Sequence, residues 1–169
     1  MADCTVRGLE MSGQLERPRV YTPAERLRRD QTVWTLVQGL LAPFQFLVFL
    51  VSLGLVLRYL MTGEGLDWAG WSVVAKTGVL LLIMVTGAIW EKVVFGQYLF
   101  ARPFFWEDVV SMVVIGLHLA VVMAWFGWGL HLSQDAAMGL AVVAYGAYLV
   151  NAGQFLYKLR QARQEAASA

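Results

Sequence analysis

The chain has 169 residues, of which 59% are hydrophobic and only 15% charged, against roughly 25% charged in an ordinary soluble domain. That deficit, gathered into long uncharged blocks, reads as an integral membrane protein. A formal net charge of +1, with the basic residues at the edges of the blocks and no patch among them, argues against a nucleic-acid surface. The single Cys4 lies in a polar N-terminal tail, so no disulfide, zinc or iron–sulfur framework can form within the chain.

Residues 1–20 read as a disordered arm of mixed polarity without periodicity, and Met11 is a second candidate start. No signal-peptide core precedes the first apolar block, which would itself direct insertion. Thr22, Pro23 and Glu25 have the spacing of a capping box with proline at the first helical position. The short basic helix that follows, Arg26 to Asp30, would lie along lipid headgroups. Four segments are then long enough to cross a bilayer core, which takes about 20 apolar residues of helix. They run from Val33 to Leu57, Trp68 to Trp90, Trp106 to Leu130 and Ala136 to Tyr157.

Within the first segment, Pro43 predicts a kink. Gln38, Gln45 and Ser52 recur at sevens and so share one face, turned towards the protein interior. Lys76 in the second segment is expected to snorkel to the near interface, while Thr77, Met84 and Glu91 again share a face. Gly139, Gly146 and Gly153 predict a smooth strip for close packing on the fourth segment. Basic residues flank the first segment (Arg17, Arg19, Arg26, Arg28, Arg29), the central loop (Lys92, Arg102) and the tail (Lys158, Arg160, Arg163). The loops at Thr62–Gly70 and Gly129–Asp135 have none. The expected architecture is an all-α polytopic membrane protein, a four-transmembrane-helix bundle over residues 21–163 with both termini cytoplasmic and a tail at 164–169.

The stretch from Trp90 to Asp108 concentrates what polar chemistry the chain has. It contains Glu91, Glu107 and Asp108, the cations Lys92 and Arg102, Tyr98, and a dense set of aromatics. Acids at the start of the third segment suit the helix dipole, whereas Glu91 at the end of the second opposes it. Glu91 therefore needs another explanation. A carboxyl among apolar and aromatic groups holds its proton more readily, as an acid catalyst requires. Trp90, Phe104, Phe105, Trp106 and Tyr98 suit either an interfacial belt or a shelf for a broad flat ring system.

His118 lies inside the third segment, within a narrow arc of Glu107 and Ser111. An intramembrane histidine is a functional candidate, either as an axial ligand to the metal of a tetrapyrrole or as a hydrogen-bond partner of Gln45, Asn151 or Gln154. His131 is expected thirteen residues further along the same helix, on another face, so the two cannot clamp one haem. Asn151 and Gln154 read first as interhelical hydrogen-bonding groups. No phosphate loop, Cys–His pair or nucleophile elbow is present.

Several runs carry a family resemblance. They are Arg28-Arg29-Asp30, Trp34-Thr35-Leu36-Val37-Gln38-Gly39 with Ala42-Pro43, and Gln45-Phe46-Leu47-Val48-Phe49. Further on come Thr86-Gly87-Ala88-Ile89-Trp90-Glu91-Lys92, Phe104-Phe105-Trp106-Glu107-Asp108 and Asn151-Ala152-Gly153-Gln154-Phe155. Over about Tyr21 to Arg163 the chain resembles the 3-vinyl bacteriochlorophyllide hydratase family, apart from its N-terminal arm. The resemblance implies a hydro-lyase of bacteriochlorophyll synthesis in a bacterial photosynthetic inner membrane. It would add water to the C3 vinyl of chlorophyllide a, giving the 3-(1-hydroxyethyl) product. It implies no cofactor, since magnesium belongs to the substrate. The partners would be the pigment, the lipid bilayer and, as an open question, neighbouring pathway enzymes.

For that chemistry Glu91 is the candidate acid, with Glu107 or Asp108 as the base for water and Tyr98 assisting. His118 would ligate the substrate magnesium or orient water, and Trp90, Phe105 and Trp106 would support the ring. Lys92 or Arg102 would pair with its propionate. Gln38, Gln45, Asn151 and Gln154 complete the substrate-facing set. The alternative is a non-catalytic carrier or assembly factor for a chlorophyll precursor, which would use the aromatics and His118 but not three carboxyls.

Overall fold

The structure, a computed structural model, describes residues 20–167. The arm expected before Val20, with Cys4 and Met11, lies outside them. All regular structure among the described residues is helical: α1 (Pro23–Gln31), α2 (Val33–Thr62), α3 (Leu66–Phe95), α4 (Phe105–Phe126) and α5 (Gln134–Ala167). The last four are long and apolar enough to span a membrane.

The capping box forms as expected: the Glu25 carboxylate accepts from the Thr22 N–H at 2.8 Å while Thr22 Oγ1 accepts from the Glu25 N–H at 3.3 Å. Helix α1 is not followed by a loop. Thr32 alone breaks the helix, its hydroxyl capping α2, so the amphipathic segment runs directly into the first span.

Helix α2 packs most extensively on α3 and α4 on α5, and contacts of α3 with α4 and of α2 with α5 close the ring. Short connections make neighbours antiparallel. The interior repeats at sevens on every span: Gln45, Ser52 and Tyr59; Val73 and Leu80; Val114 and Val121; Met138 and Tyr145; Ala141 and Tyr148. That period is the signature of side chains from one helix seating between those of the next in a left-handed bundle. The interior face of α2 is therefore the expected one. Gln38 joins it by donating to Thr86 Oγ1 of α3 at 2.8 Å. Large apolar side chains such as Leu47, Val51, Val85 and Val143 are exposed on the outside, where lipid solvates them.

Three expectations fail. Helix α4 ends at Phe126, not Leu130, because Gly127 takes the left-handed conformation (φ 69°) and its N–H turns back to the carbonyls of Met123 and Ala124. His131 consequently lies in the connection to α5 and is exposed. Lys76 does not snorkel. Its side chain is fully buried, because α3 begins at Leu66 and ten residues at 1.5 Å set Lys76 about 15 Å along the span. The glycine strip of α5 does not mediate packing within the chain: a Cβ on Gly139, Gly146 or Gly153 would meet nothing within 4 Å.

One end of the bundle is closed by a second cluster, in which Val20, Tyr21, Val94, Phe104 and Ala162 pack together with Trp90 and Phe95. The Val20 N–H donates to Glu165 on α5 at 3.0 Å. The start of the described chain, the α3–α4 connection and the far part of α5 thus meet at this end, and α5 continues through the basic stretch to Ala167 without a break.

Candidate functional site

Gly96, at φ 85°, ends α3, and the connection from there to α4 folds back over the helix ends. Phe100 at its centre adopts φ 59°, the single non-glycine residue with positive φ among those described. That conformation costs a non-glycine residue on the order of 1–2 kcal/mol. What it achieves is to aim two successive N–H groups at two carboxyls. The Phe100 N–H donates to Asp108 Oδ2 at 2.7 Å and the Ala101 N–H to Glu91 Oε2 at 3.1 Å. The carboxyls of Glu91 and Asp108 lie close enough to interact electrostatically. The shorter of the two amide bonds goes to Asp108. Both side chains are buried, at 5% and 2% exposure.

Glu107, next in the chain to Asp108, turns to α5. Its carboxylate pairs with Lys158 at 3.4 Å, and its backbone carbonyl accepts from Asn151 Nδ2 at 3.0 Å and Ser111 Oγ at 2.8 Å. Ser111 also donates to Asn151 Oδ1 at 3.1 Å. Asn151 is thus an interhelical hydrogen-bonding residue, as its position predicts. Buried Gln154 Oε1, one turn further on, has no partner among the described residues.

The remaining site candidates scatter. Trp90 is locked in the end cluster, its Nε1–H donating to Thr35 at 2.9 Å and its ring edge-on to Phe95 and Phe104. Lys92 donates to the Gly96 carbonyl at 2.8 Å, closing the end of α3, and lies 5.3 Å from the ring of exposed Tyr98. Arg102 is exposed. Phe105 and Trp106 are exposed too, edge-on to each other at 5.5 Å, with Phe100 against Phe105 at 5.8 Å. These three form an open aromatic edge beside the carboxyl pair. Gln45 is buried in the bundle.

His118 is fully buried, its Nδ1 bonded to the Val114 carbonyl at 2.8 Å and its ring 5.7 Å from that of Tyr145. Ten helical residues separate it from Asp108, about 15 Å, so the histidine and the carboxyls do not form one site. Among the described residues no three His, Cys, Asp or Glu side chains are grouped to hold a metal ion.

The sequence places the carboxyls at one mouth but carries no sign of the amides that grip them. No composition signal marks a phenylalanine as left-handed. Lys158 was visible as part of a basic tail, not as the partner of Glu107.

Outside tyrosines at the bundle centre, the phenol of Tyr21 stands out. Burial pushes it up to about 12, against the opposing pull of the Arg29 guanidinium. Its ring stacks on Phe95 at 5.7 Å while Arg29 lies 4.7 Å over it.

The model of the 2-vinyl bacteriochlorophyllide hydratase family matches residues 21–161. A protein of Cereibacter sphaeroides with that name is 63% identical over 145 residues, 86% of this chain and 89% of the relative. One of Rhodobacter capsulatus with the same name is 59% identical over 154 residues, 90% of this chain and 87% of the relative. No solved structure matches. The family model spans the carboxyl pair and the loop over it, and the chain belongs to the 2-vinyl bacteriochlorophyllide hydratase family.

Proposed function

We propose that this protein adds water across a ring vinyl group of a chlorophyllide-type pigment, the position numbered 2 in the relatives' names and 3 in the numbering used above. The Glu91–Asp108 pair is the proton-transfer centre. The observation that carries this reading is a pair of buried, interacting carboxyls, each held by a backbone amide, beside an exposed aromatic edge. The end bearing the pair also carries Arg26, Arg28, Arg29, Lys92, Arg102, Lys158, Arg160 and Arg163, which supports a cytoplasmic orientation for it and for both termini.

The vinyl group is conjugated to an electron-rich macrocycle. Glu91 delivers its proton to the terminal vinyl carbon, leaving a cation on the carbon next to the ring. At that moment two carboxylates face the cation, and fixed negative charge in a dry site stabilises it strongly. Water attacks the cationic carbon and gives its proton to Asp108. One C–H and one C–O bond form, the C=C π bond is lost, and the net addition is one water. The proton then passes from Asp108 to Glu91, restoring the starting state.

Phe105 and Trp106 offer the macrocycle an apolar face at the lipid boundary, and Arg102 is the exposed cation for its propionate. Glu107 is engaged by Lys158 and serves the α4–α5 contact. Incubation of membranes containing the protein with chlorophyllide a tests the reading: the vinyl absorption should be lost with a mass gain of one water. Pigment that binds and returns unchanged would make the protein a carrier.

A further inference from the structure

Two polar atoms at the centre of the bundle have no hydrogen-bond partner among the described residues: Lys76 Nζ and His118 Nε2. Both side chains are fully buried. They face the same helix, His118 against the ring of Tyr145 and Lys76 Nζ 4.0 Å from the ring centre of Tyr148, three residues on. The two lie within electrostatic reach of each other.

The hydroxyls of Tyr145, Ser52, Ser72 and Thr77 have partners of their own. Tyr145 Oη and Ser52 Oγ are 2.5 Å apart, Ser52 and Ser72 Oγ are 2.7 Å apart, and Thr77 donates to the Val73 carbonyl at 2.8 Å. An unsatisfied polar group in a membrane interior is costly, and two such groups against neighbouring rings of one helix call for an occupant.

The histidine tautomer decides its chemistry. A carbonyl only accepts, so the Nδ1 bonded to Val114 carries a hydrogen. In the neutral ring Nε2 is then a bare acceptor. Lys76 offers donors. The missing group must accept from an amine and donate to an imidazole nitrogen. A chloride or carboxylate does the first and not the second. Water does both.

We infer that Lys76 and His118 together bind one internal water molecule at the centre of the membrane-spanning bundle, as an acceptor from Nζ and a donor to Nε2. Buried waters of this kind typically make two to four hydrogen bonds to otherwise unpaired groups. This water is not the one added to the vinyl group, since the carboxyl pair lies about 15 Å away along α4. The site therefore stands independently of the hydration reading.

The chain has two histidines, which makes ¹⁵N-histidine labelling of the full protein in lipid bilayers a direct test. The expected spectrum shows His118 with hydrogen on Nδ1, Nε2 bare but hydrogen-bonded, and a cross-peak from Nε2 to water protons that disappears in Lys76→Met. Exposed His131 provides the freely hydrated comparison. A cross-peak from Nε2 to the Lys76 ammonium protons would show a direct bond and overturn the inference. So would an Nε2–H signal, the mark of an imidazolium holding an anion, or an Nε2 with neither hydrogen nor hydrogen bond.

Thermal unfolding adds a measurement that requires no assignment. Lys76→Met and His118→Leu should each lower the midpoint, and the double variant should lower it by less than the sum, because the shared water is lost only once. Strict additivity would refute a shared occupant. Neither experiment reads turnover, so their failure leaves the proposed activity untouched, and absence of hydration leaves the water site standing.

Discussion

Glu91→Gln separates the proton from the structure that holds it. In the native pair Glu91 accepts from the Ala101 N–H at 3.1 Å and, in the proposed mechanism, donates its own hydrogen to Asp108. A glutamine reproduces both: its oxygen faces Ala101 and its amide nitrogen donates to Asp108. Only the transferable proton is gone. Stability should fall by no more than about 1 kcal/mol, the net worth of one ordinary hydrogen bond. Loss of a general acid is worth about 10²–10⁴-fold in rate. Glu91→Ala makes the contrast, since it leaves the Ala101 N–H and the Asp108 carboxyl without a partner. That should cost about 1–3 kcal/mol for each stranded group. The assay is turnover of chlorophyllide a in nanodiscs, followed by absorption and mass, alongside thermal unfolding. Wild-type turnover in Glu91→Gln would refute the acid role. A midpoint for Glu91→Ala equal to that of Glu91→Gln would refute the hydrogen-bonded geometry.

Phe100→Pro should lower turnover as far as Glu91→Gln does, because proline has no N–H for Asp108 and cannot take a positive φ. Phe100→Gly keeps the amide and removes the backbone strain, so it should retain most of the activity; equal loss in both would show that the ring, not the amide, matters. Asn151→Ala removes the hydrogen bonds to Glu107 and Ser111 and should destabilise the α4–α5 contact by about 1–3 kcal/mol, read as a lowered unfolding midpoint in detergent; an unchanged midpoint contradicts it. The Tyr21 phenol, raised by burial, stabilises the end cluster fully below pH 10, the value of a free phenol, and loses that contribution as pH rises towards about 12. Hydrogen exchange of α1 should therefore accelerate over that window in wild type and less in Tyr21→Phe; identical profiles would remove Tyr21 as the cause.

The fold was legible because its driving pattern is coarse. Uncharged blocks longer than a bilayer core leave few alternatives to helices, and Gln45 and Ser52 at heptad spacing announced an interior face that the structure confirms. The end of α4 was not legible, since a run that stays apolar past Phe126 conceals the left-handed Gly127. Lys76 was misjudged by geometry: snorkelling reaches only as far as the side chain, and the helix starts two residues before Trp68, which deepens the lysine. The glycine strip was read as packing surface because small residues permit close approach, yet permission is not contact. At the site, proximity of Glu91 and Asp108 followed from two helix ends meeting across a loop. Their amide grip depends on the backbone of Phe100, for which the sequence has no marker.

The separation of His118 from the carboxyls constrains how the pigment can sit. A single pose with His118 on the central metal and the vinyl group at Glu91 needs the macrocycle to enter the bundle between Tyr145 and Lys76, where both polar atoms are already enclosed. The carboxyl pair makes no such demand. It lies where α3 and α4 end, with Phe105 and Trp106 open beside it and cations around it. A flat apolar ring can rest there with its body in lipid and its propionate towards Arg102. Protonation then requires only that the vinyl edge reach the pair, and water arrives from the same interface. In the proposed mechanism a strained Phe100 has a use: a carboxyl pair open to water would share its proton with solvent, and the folded-back loop would keep it for the substrate.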